Sequence, residues 1–304
     1  MTRCVAPFGL VVGALLCLSA SAGPAAARTE GELTGTLKKV DNTAAVTIGY
    51  RESSIPFSFL TEAKRPVGYA IDICLEIVDD IARELGRSDL TIKYQPVTSE
   101  NRFAAVSSGE VDLECGSTTA NLERRSHFDF SPIDYISATK LLVRRGSQIR
   151  SYRDLGGRKV AVTAGTTNAD AMRALFAQLK MSAELVEGHD HADSFQMVKD
   201  GRADALALDD ILLYGLIAGA GREGADYHVL SENLSYEPYG IMSRKNDPAF
   251  AAVVTGTFNR LAQSREIRWI YEKWFIKRLP NGQRLNIPMS EQLLGLFQMM
   301  GLPD

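Results

Sequence analysis

The chain has 304 residues, 45% of them hydrophobic and 23% charged, with a net charge of −3. The length suits about two domains, and the composition excludes a mainly disordered or collagen-like chain. A mean hydropathy of −0.09 excludes a multi-span membrane protein, and the acidic balance argues against a broad nucleic-acid-binding face while leaving room for a local basic pocket.

Residues 1–27 read as a secretory signal. Arg3 is the only charge, an apolar run extends from Leu10 to Leu18, and Ala25 and Ala27 have the small-x-small spacing of a cleavage site. The run is shorter than the roughly 20 residues that span a bilayer, which speaks against an anchor helix. Leu16 is bulky where a lipoprotein site at Cys17 needs a small residue. Cleavage after Ala27 predicts an exported chain that keeps only Cys74 and Cys115 of its four cysteines. In an oxidising compartment these two either pair or remain separate buried thiols.

Beyond the signal, strands and helices alternate. Ala45 to Tyr50 reads as a strand ending in a polar loop, Arg51 to Ser54. Ile71, Leu75, Val78, Ala82 and Leu85 mark one helical face. Leu90 to Tyr94 is a strand, Asn101 to Ser107 a short helix stopped by Gly109, and Val111 to Cys115 a strand running into Gly116-Ser-Thr-Thr119. A second unit follows with the same rhythm. Lys159 to Thr163 is a strand, Asn168 to Leu179 a helix, Glu184 to Glu187 a strand, Ser194 to Asp200 a helix and Ala203 to Leu208 a strand entering Asp209. Such alternation predicts βαβ units and mostly parallel sheets. Two longer extended stretches, Ile136 to Arg145 and Tyr239 to Arg244, bracket the second unit, so it reads as inserted into the first through two crossing strands. Helices near 249–264, 266–275 and 289–300 close the chain.

Ligands of open parallel sheets bind beyond the carboxyl ends of the strands. Several loops there carry chemistry: Arg51; Ser99 with Arg102; Ser117, Thr118 and Thr119 before a helix start near Ala120 with Arg124 in its first turns; Thr166 and Thr167 at another helix start; His191 before a helix; and Asp209 at a strand end. Each has an ordinary reading as well. The arginines could be solvated or salt-bridged, and the hydroxyls and Asp209 could be plain helix caps. His189 and His191 without a third ligand do not make a metal site, and no cofactor is expected. Phe57, Phe59, Trp269 and Trp274 read as core. The argument rests on their sharing one rim. Helix N-termini and arginines favour carboxylates, and an aspartate across the cleft suits an ammonium group. Two or three arginines facing one aspartate describe an acidic α-amino acid.

At these residues the chain resembles the periplasmic amino-acid-binding proteins of ABC importers (solute-binding family 3), in particular their glutamate/aspartate-binding members. The matching runs are Gly49 to Phe57, Gly68 to Asp72, Pro96 to Arg102, Glu114 to Arg124, Asp129 to Ser131, Thr163 to Thr167, His189 to Phe195, Gly201 to Ala205, Leu208 to Asp210, Pro238 to Gly240 and Lys273 to Phe275. They cover nearly all of the mature chain in order. The resemblance implies an α/β, two-lobed periplasmic binding protein type II fold with two crossing hinge strands. One lobe would be residues 36–138 and 240–304, the other 139–239. It implies that Arg124, with the backbone N–H groups of Thr119 and Thr167, holds an α-carboxylate. Asp209, Ser117 and the Thr119 hydroxyl would hold the α-ammonium; Arg51, Ser99, Arg102 and His191 would hold the side-chain carboxylate. Ile241 stands where some members have cysteine, which leaves the pairing of Cys74 open. The implied partners are glutamate or aspartate and the membrane permease, with the chain periplasmic and monomeric. Two other functions fit the same fold less well. A dehydratase on the same fold needs a spare central carboxylate, which the rim lacks. A direct sensor needs a membrane or signalling segment, and none follows the last helix.

Overall fold

The computed structural model of the chain describes residues 1–2 and 33–303, so the expected signal at 1–27 lies almost wholly outside the described residues. Residues 34–304 form one compact unit with two sheet-containing lobes. In the first sheet the strand order is Thr91–Pro96, Ala45–Tyr50, Leu113–Glu114, Met242–Arg244, Phe128–Phe130. Its first three strands run parallel, and Met242–Arg244 returns antiparallel. The second sheet is ordered Glu184–Gly188, Lys159–Thr163, Ala205–Asp209, Tyr135–Arg144, Tyr227–Val229, with Tyr236–Tyr239 also paired to Tyr135–Arg144. Parallel pairing holds for its first three strands, so their carboxyl ends point the same way. Among the described residues no helix is long and apolar enough to cross a membrane.

The chain passes between the sheets twice, and the two passages are tied to each other. Ser131 N–H donates to the Ile241 carbonyl at 2.9 Å, Ile241 N–H donates back to Ser131 Oγ at 2.9 Å, and Asp134 N–H donates to the Tyr239 carbonyl at 3.0 Å. The second passage differs from the single strand expected over Tyr239 to Arg244. It is two strands in different sheets, Tyr236–Tyr239 and Met242–Arg244, broken at Gly240 and Ile241. An aromatic cluster packs around the first passage. Tyr135 stacks on Phe275 with centroids 5.0 Å apart, and the Phe57 ring meets both Tyr135 and Tyr239 edge-on at 5.1 Å. Such pairs add to the burial of large apolar faces.

The helix Tyr69–Leu85 buries Ile71 and Val78 of the expected face together with Tyr69, Ala70, Ile73, Cys74, Ile77 and Ile81. The buried stripe is centred to one side of the expected face, and the helix also packs against Pro248–Gln263 and Glu266–Phe275. Leu75, Ala82 and Leu85 are therefore only half-buried. Cys74 and Cys115 form a disulfide that pins this helix to the end of strand Leu113–Glu114. Phe57, Phe59 and Trp274 are core, but Trp269 is 68% exposed. The helix Glu266–Phe275 buries Ile267, Tyr271, Trp274 and Phe275, and Trp269 lies off that stripe. Four elements carry no pattern that the sequence alone shows. The helix Gly35–Thr43 buries only three residues, too few to show a period. The strands Ser53–Ser54, Ser58–Leu60 and Pro66–Val67 are too short to alternate.

The lobes approach each other closely at two glycines. A Cβ on Gly165 would lie 2.7 Å from the Ser99 carbonyl oxygen, and one on Gly215 would lie 2.1 Å from the Ile55 carbonyl oxygen.

Candidate functional site

The parallel strands of both sheets end at one interlobe cleft. Ser99, Arg102, Ser117, Thr119, Arg124, Thr167, His191 and Asp209 line it, joined by Thr166, Asn168 and Leu212. The cavity left between these side chains has a volume of only about 10 Å³, far below the roughly 300–1,000 Å³ of ligand sites. It is narrow, so a ligand has to part the walls. Arg51 stands just behind the lining, where its guanidinium donates to Ser99 Oγ. A larger groove beside helix Pro248–Gln263 is open; of its charged groups, Lys245 and Asp129 are paired to each other and Asp247 caps the helix.

Arg51 and Arg102 are each 2% exposed. Arg102 begins the helix Arg102–Ser108. Its guanidinium donates to the Ser99 carbonyl and, at 3.3 Å, to the Gly165 carbonyl, while its Nε has no partner. Burial, then the charges of Arg51 and Arg124, push its pKa well below the usual arginine value. Arg124 is half-buried, donates to the Thr119 carbonyl at 3.0 Å, and faces the Phe103 ring at 5.0 Å. Burial lowers its pKa as well. Three cations thus crowd one end of the cleft, each costly to keep charged away from water. His191 is buried, with Nδ1 3.0 Å from Thr163 Oγ1. Burial, then Arg51 and Arg102, hold its pKa well below 6.5, so the ring is neutral at pH 7.

Asp209 faces this cationic end. It flanks the helix Asp210–Gly219 without capping it through its side chain. Instead Oδ1 accepts from Asn168 Nδ2 at 2.7 Å and Oδ2 accepts from the Tyr239 hydroxyl at 2.5 Å. Burial, then the charge of Glu237, raises its pKa to about 7. Ser117 Oγ is buried without a partner.

Local geometry departs from expectation in two places. The helix after Thr119 starts at Leu122, because Asn121 is the cap, accepting from Arg124 N–H at 2.9 Å. His191 opens its helix, capped by Asp190, so that helix begins three residues before Ser194. Thr166 does cap its helix, which begins at Thr167. Sequence reading missed Asn168 and, above all, Glu237. One carboxylate, Asp209, is expected at the rim; the fold brings Glu237 close to it and also buries Glu114 near Arg51, Arg102 and Arg124. The only signal of Glu237 is a charged residue on a strand flanked by Tyr236 and Pro238, and such a strand reads equally well as an exposed edge. Among the described residues no group of three or more His, Cys, Asp or Glu could hold a metal.

The chain is similar to the L-glutamate/L-aspartate-binding protein of Pseudomonas aeruginosa, with 43% identity over 268 residues, 88% of each chain. It is 35% identical over 287 residues to the glutamate/aspartate import solute-binding protein of Escherichia coli, covering 94% of this chain and 95% of that one. Among solved structures, a mutant of ArgBP from T. maritima superposes with a TM-score of 0.71 at 26% identity, covering 80% of this chain and all (100%) of that one. Each of the three is a binding protein, and the two-lobed α/β architecture is that of periplasmic binding proteins. The family model of bacterial extracellular solute-binding proteins, family 3, matches residues 46–277, and the chain belongs to that family.

Proposed function

We propose that this chain is the periplasmic substrate-binding component of an ABC importer for acidic amino acids, glutamate and aspartate. The observation that carries the reading is electrostatic. Arg102 and the half-buried Arg124 line one cleft opposite Asp209, with Arg51 behind Ser99, and a ligand with two carboxylates and one ammonium complements the cations at one end and the carboxylate at the other. Arg124, with the backbone N–H groups of Thr119 and Thr167, holds the α-carboxylate. Asp209, Ser117 and Thr119 hold the ammonium. Arg51, Ser99, Arg102 and the neutral His191 hold the side-chain carboxylate. The lobes are taken as residues 36–138 with 240–304, and 139–239, in a type II arrangement with a hinge at the two passages. Ligand bridges the lobes and favours the closed form, which the permease reads. The same two relatives, both named for glutamate and aspartate, support the ligand class. Residues 1–27 act as the cleaved export signal.

A dehydratase on this fold has a specific observation in its favour, since Glu237 is a further buried carboxylate close to Asp209. That carboxylate is held by four hydroxyls, an arrangement of a fixed acceptor rather than a mobile acid. The test of the binding reading is the preference for glutamate over glutamine, measured by titration calorimetry. Equal affinities for the acid and the amide would refute it.

A further inference from the structure

Glu237 is 2% exposed and sits on the strand Tyr236–Tyr239, beside the second passage between the lobes. Its Oε2 accepts from Thr119 Oγ1 at 2.7 Å and from Thr167 Oγ1 at 2.8 Å. Its Oε1 accepts from Ser235 Oγ at 2.5 Å and from Thr139 Oγ1 at 3.4 Å. Thr119 follows a strand of the first sheet, and Thr167 opens a helix after a strand of the second. The two hydroxyl oxygens are 3.4 Å apart. One carboxylate oxygen therefore gathers hydroxyls from both sides of the cleft.

A hydroxyl has one proton and two lone pairs, and an ionised carboxylate only accepts. The protons of Thr119 and Thr167 are thus committed to Glu237, and only lone pairs remain to face the cleft. Lone pairs suit an ammonium, which has donors in every direction. They repel a carbonyl oxygen, which has none. We propose that Glu237 is a positioning residue for the α-amino group: by holding these two protons it turns Thr119 and Thr167 into fixed acceptors, and so selects α-amino dicarboxylates over their α-oxo counterparts. Selection then comes from the unpaired lone pairs facing the wrong ligand as much as from contacts to the right one. This inference rests on the acidic amino-acid reading above, and it adds discrimination at the α-carbon, which Arg51 and Arg102 cannot provide because both ligands carry the same two carboxylates.

The probes are L-glutamate and 2-oxoglutarate, the latter by competition against glutamate. In Glu237→Gln the amide can donate to one threonine, whose own proton is then free to meet a carbonyl. The expected result is a fall of at least tenfold in the glutamate-to-oxoglutarate affinity ratio, with oxoglutarate binding gained or retained. A purely structural role would weaken both ligands by the same factor. An unchanged ratio, or oxoglutarate that stays undetectable in Glu237→Gln, overturns the inference. Thr167→Val carries the test if Glu237→Gln does not fold. It removes one fixed acceptor but keeps the backbone N–H, so glutamate should lose at least threefold more than oxoglutarate, and equal losses overturn the inference. A wild-type protein that binds neither glutamate nor aspartate would remove the underlying reading and this inference with it. Wild-type binding with an unaltered ratio in the variants would remove this inference alone.

Discussion

Acidification from pH 8 to pH 6 should weaken glutamate binding through one group, Asp209. The ammonium needs the ionised carboxylate, and burial beside Glu237 raises the Asp209 pKa to about 7. The sign follows from which form binds. Ligand takes the deprotonated form, so affinity is full above pH 7 and is lost as pH falls through it. Titration about a pKa of 7 leaves roughly 0.9 of Asp209 ionised at pH 8, about 0.1 at pH 6 and about 0.01 at pH 5. Apparent affinity scales with that competent fraction. Dissociation constants should therefore rise about tenfold from pH 8 to pH 6 and about tenfold again by pH 5. Other groups contribute little in this window. Burial and two arginines keep the His191 pKa well below 6.5, so its ring is neutral through the upper part of this window. The side-chain carboxyl of free glutamate, with an ordinary pKa of about 4.3, stays ionised. The assay is titration calorimetry across pH 5 to 8 in two buffers of different ionisation enthalpy, which also counts the proton released near pH 6. Asp209→Asn should weaken binding at pH 8 by about 2–5 kcal/mol, the cost of truncating a buried charge pair, and should flatten the profile. A wild-type dissociation constant that stays constant from pH 8 to pH 5.5 would refute the reasoning.

Closure and stability give two further expectations. Gly215→Ala places a methyl 2.1 Å from the Ile55 carbonyl oxygen. It should weaken glutamate binding at least tenfold (on the order of 1.4 kcal/mol) by propping the lobes apart, although alanine alone favours a helix by about 1 kcal/mol. Gly256→Ala, with no atom within 4 Å of the added carbon, is the control that should leave binding unchanged, and equal binding by the two variants would count against closure. The Cys74–Cys115 bridge closes a loop with a sequence separation of 41, which chain-entropy arguments value at about 4 kcal/mol. Cys115→Ala should lower the denaturation midpoint accordingly, and a midpoint shared by oxidised, reduced and mutant protein would show the bridge does not form.

Much of this architecture was legible because it rests on long periodic segments and loop chemistry. The strand Lys159–Thr163 and the helix over Thr167–Leu179 declare themselves through an apolar run, a threonine cap and a repeating stripe. Arg51, Ser99, Arg102, Ser117, Thr119, Arg124, Thr167, His191 and Asp209 were singled out as polar residues at strand ends. Eight of these line the cleft, and Arg51 braces Ser99. Glu237 stayed hidden for a physical reason. Its burial depends on Thr119, Thr139 and Thr167, which are distant in sequence and meet only when both sheets have formed. The Cys74–Cys115 pairing was open on the same ground, since two cysteines say nothing of whether a helix and a strand end will meet. Trp269 misled because hydrophobicity alone does not reveal which face of Glu266–Phe275 is covered.

The central claim is that buried arginines read a side-chain carboxylate, and the most direct measurement compares glutamate with glutamine on wild type and on Arg102→Met. Methionine keeps the apolar stem and removes the charge and its hydrogen-bonding fork. Glutamate should then lose about 2–5 kcal/mol, as a buried carboxylate short of its partner does, while the neutral amide of glutamine loses much less. The wild-type preference for glutamate should shrink at least tenfold (about 1.4 kcal/mol) in Arg102→Met. In Arg124→Met both ligands should weaken together and the preference should persist. Equal losses of glutamate and glutamine in Arg102→Met, in protein shown to be folded, would contradict the assignment.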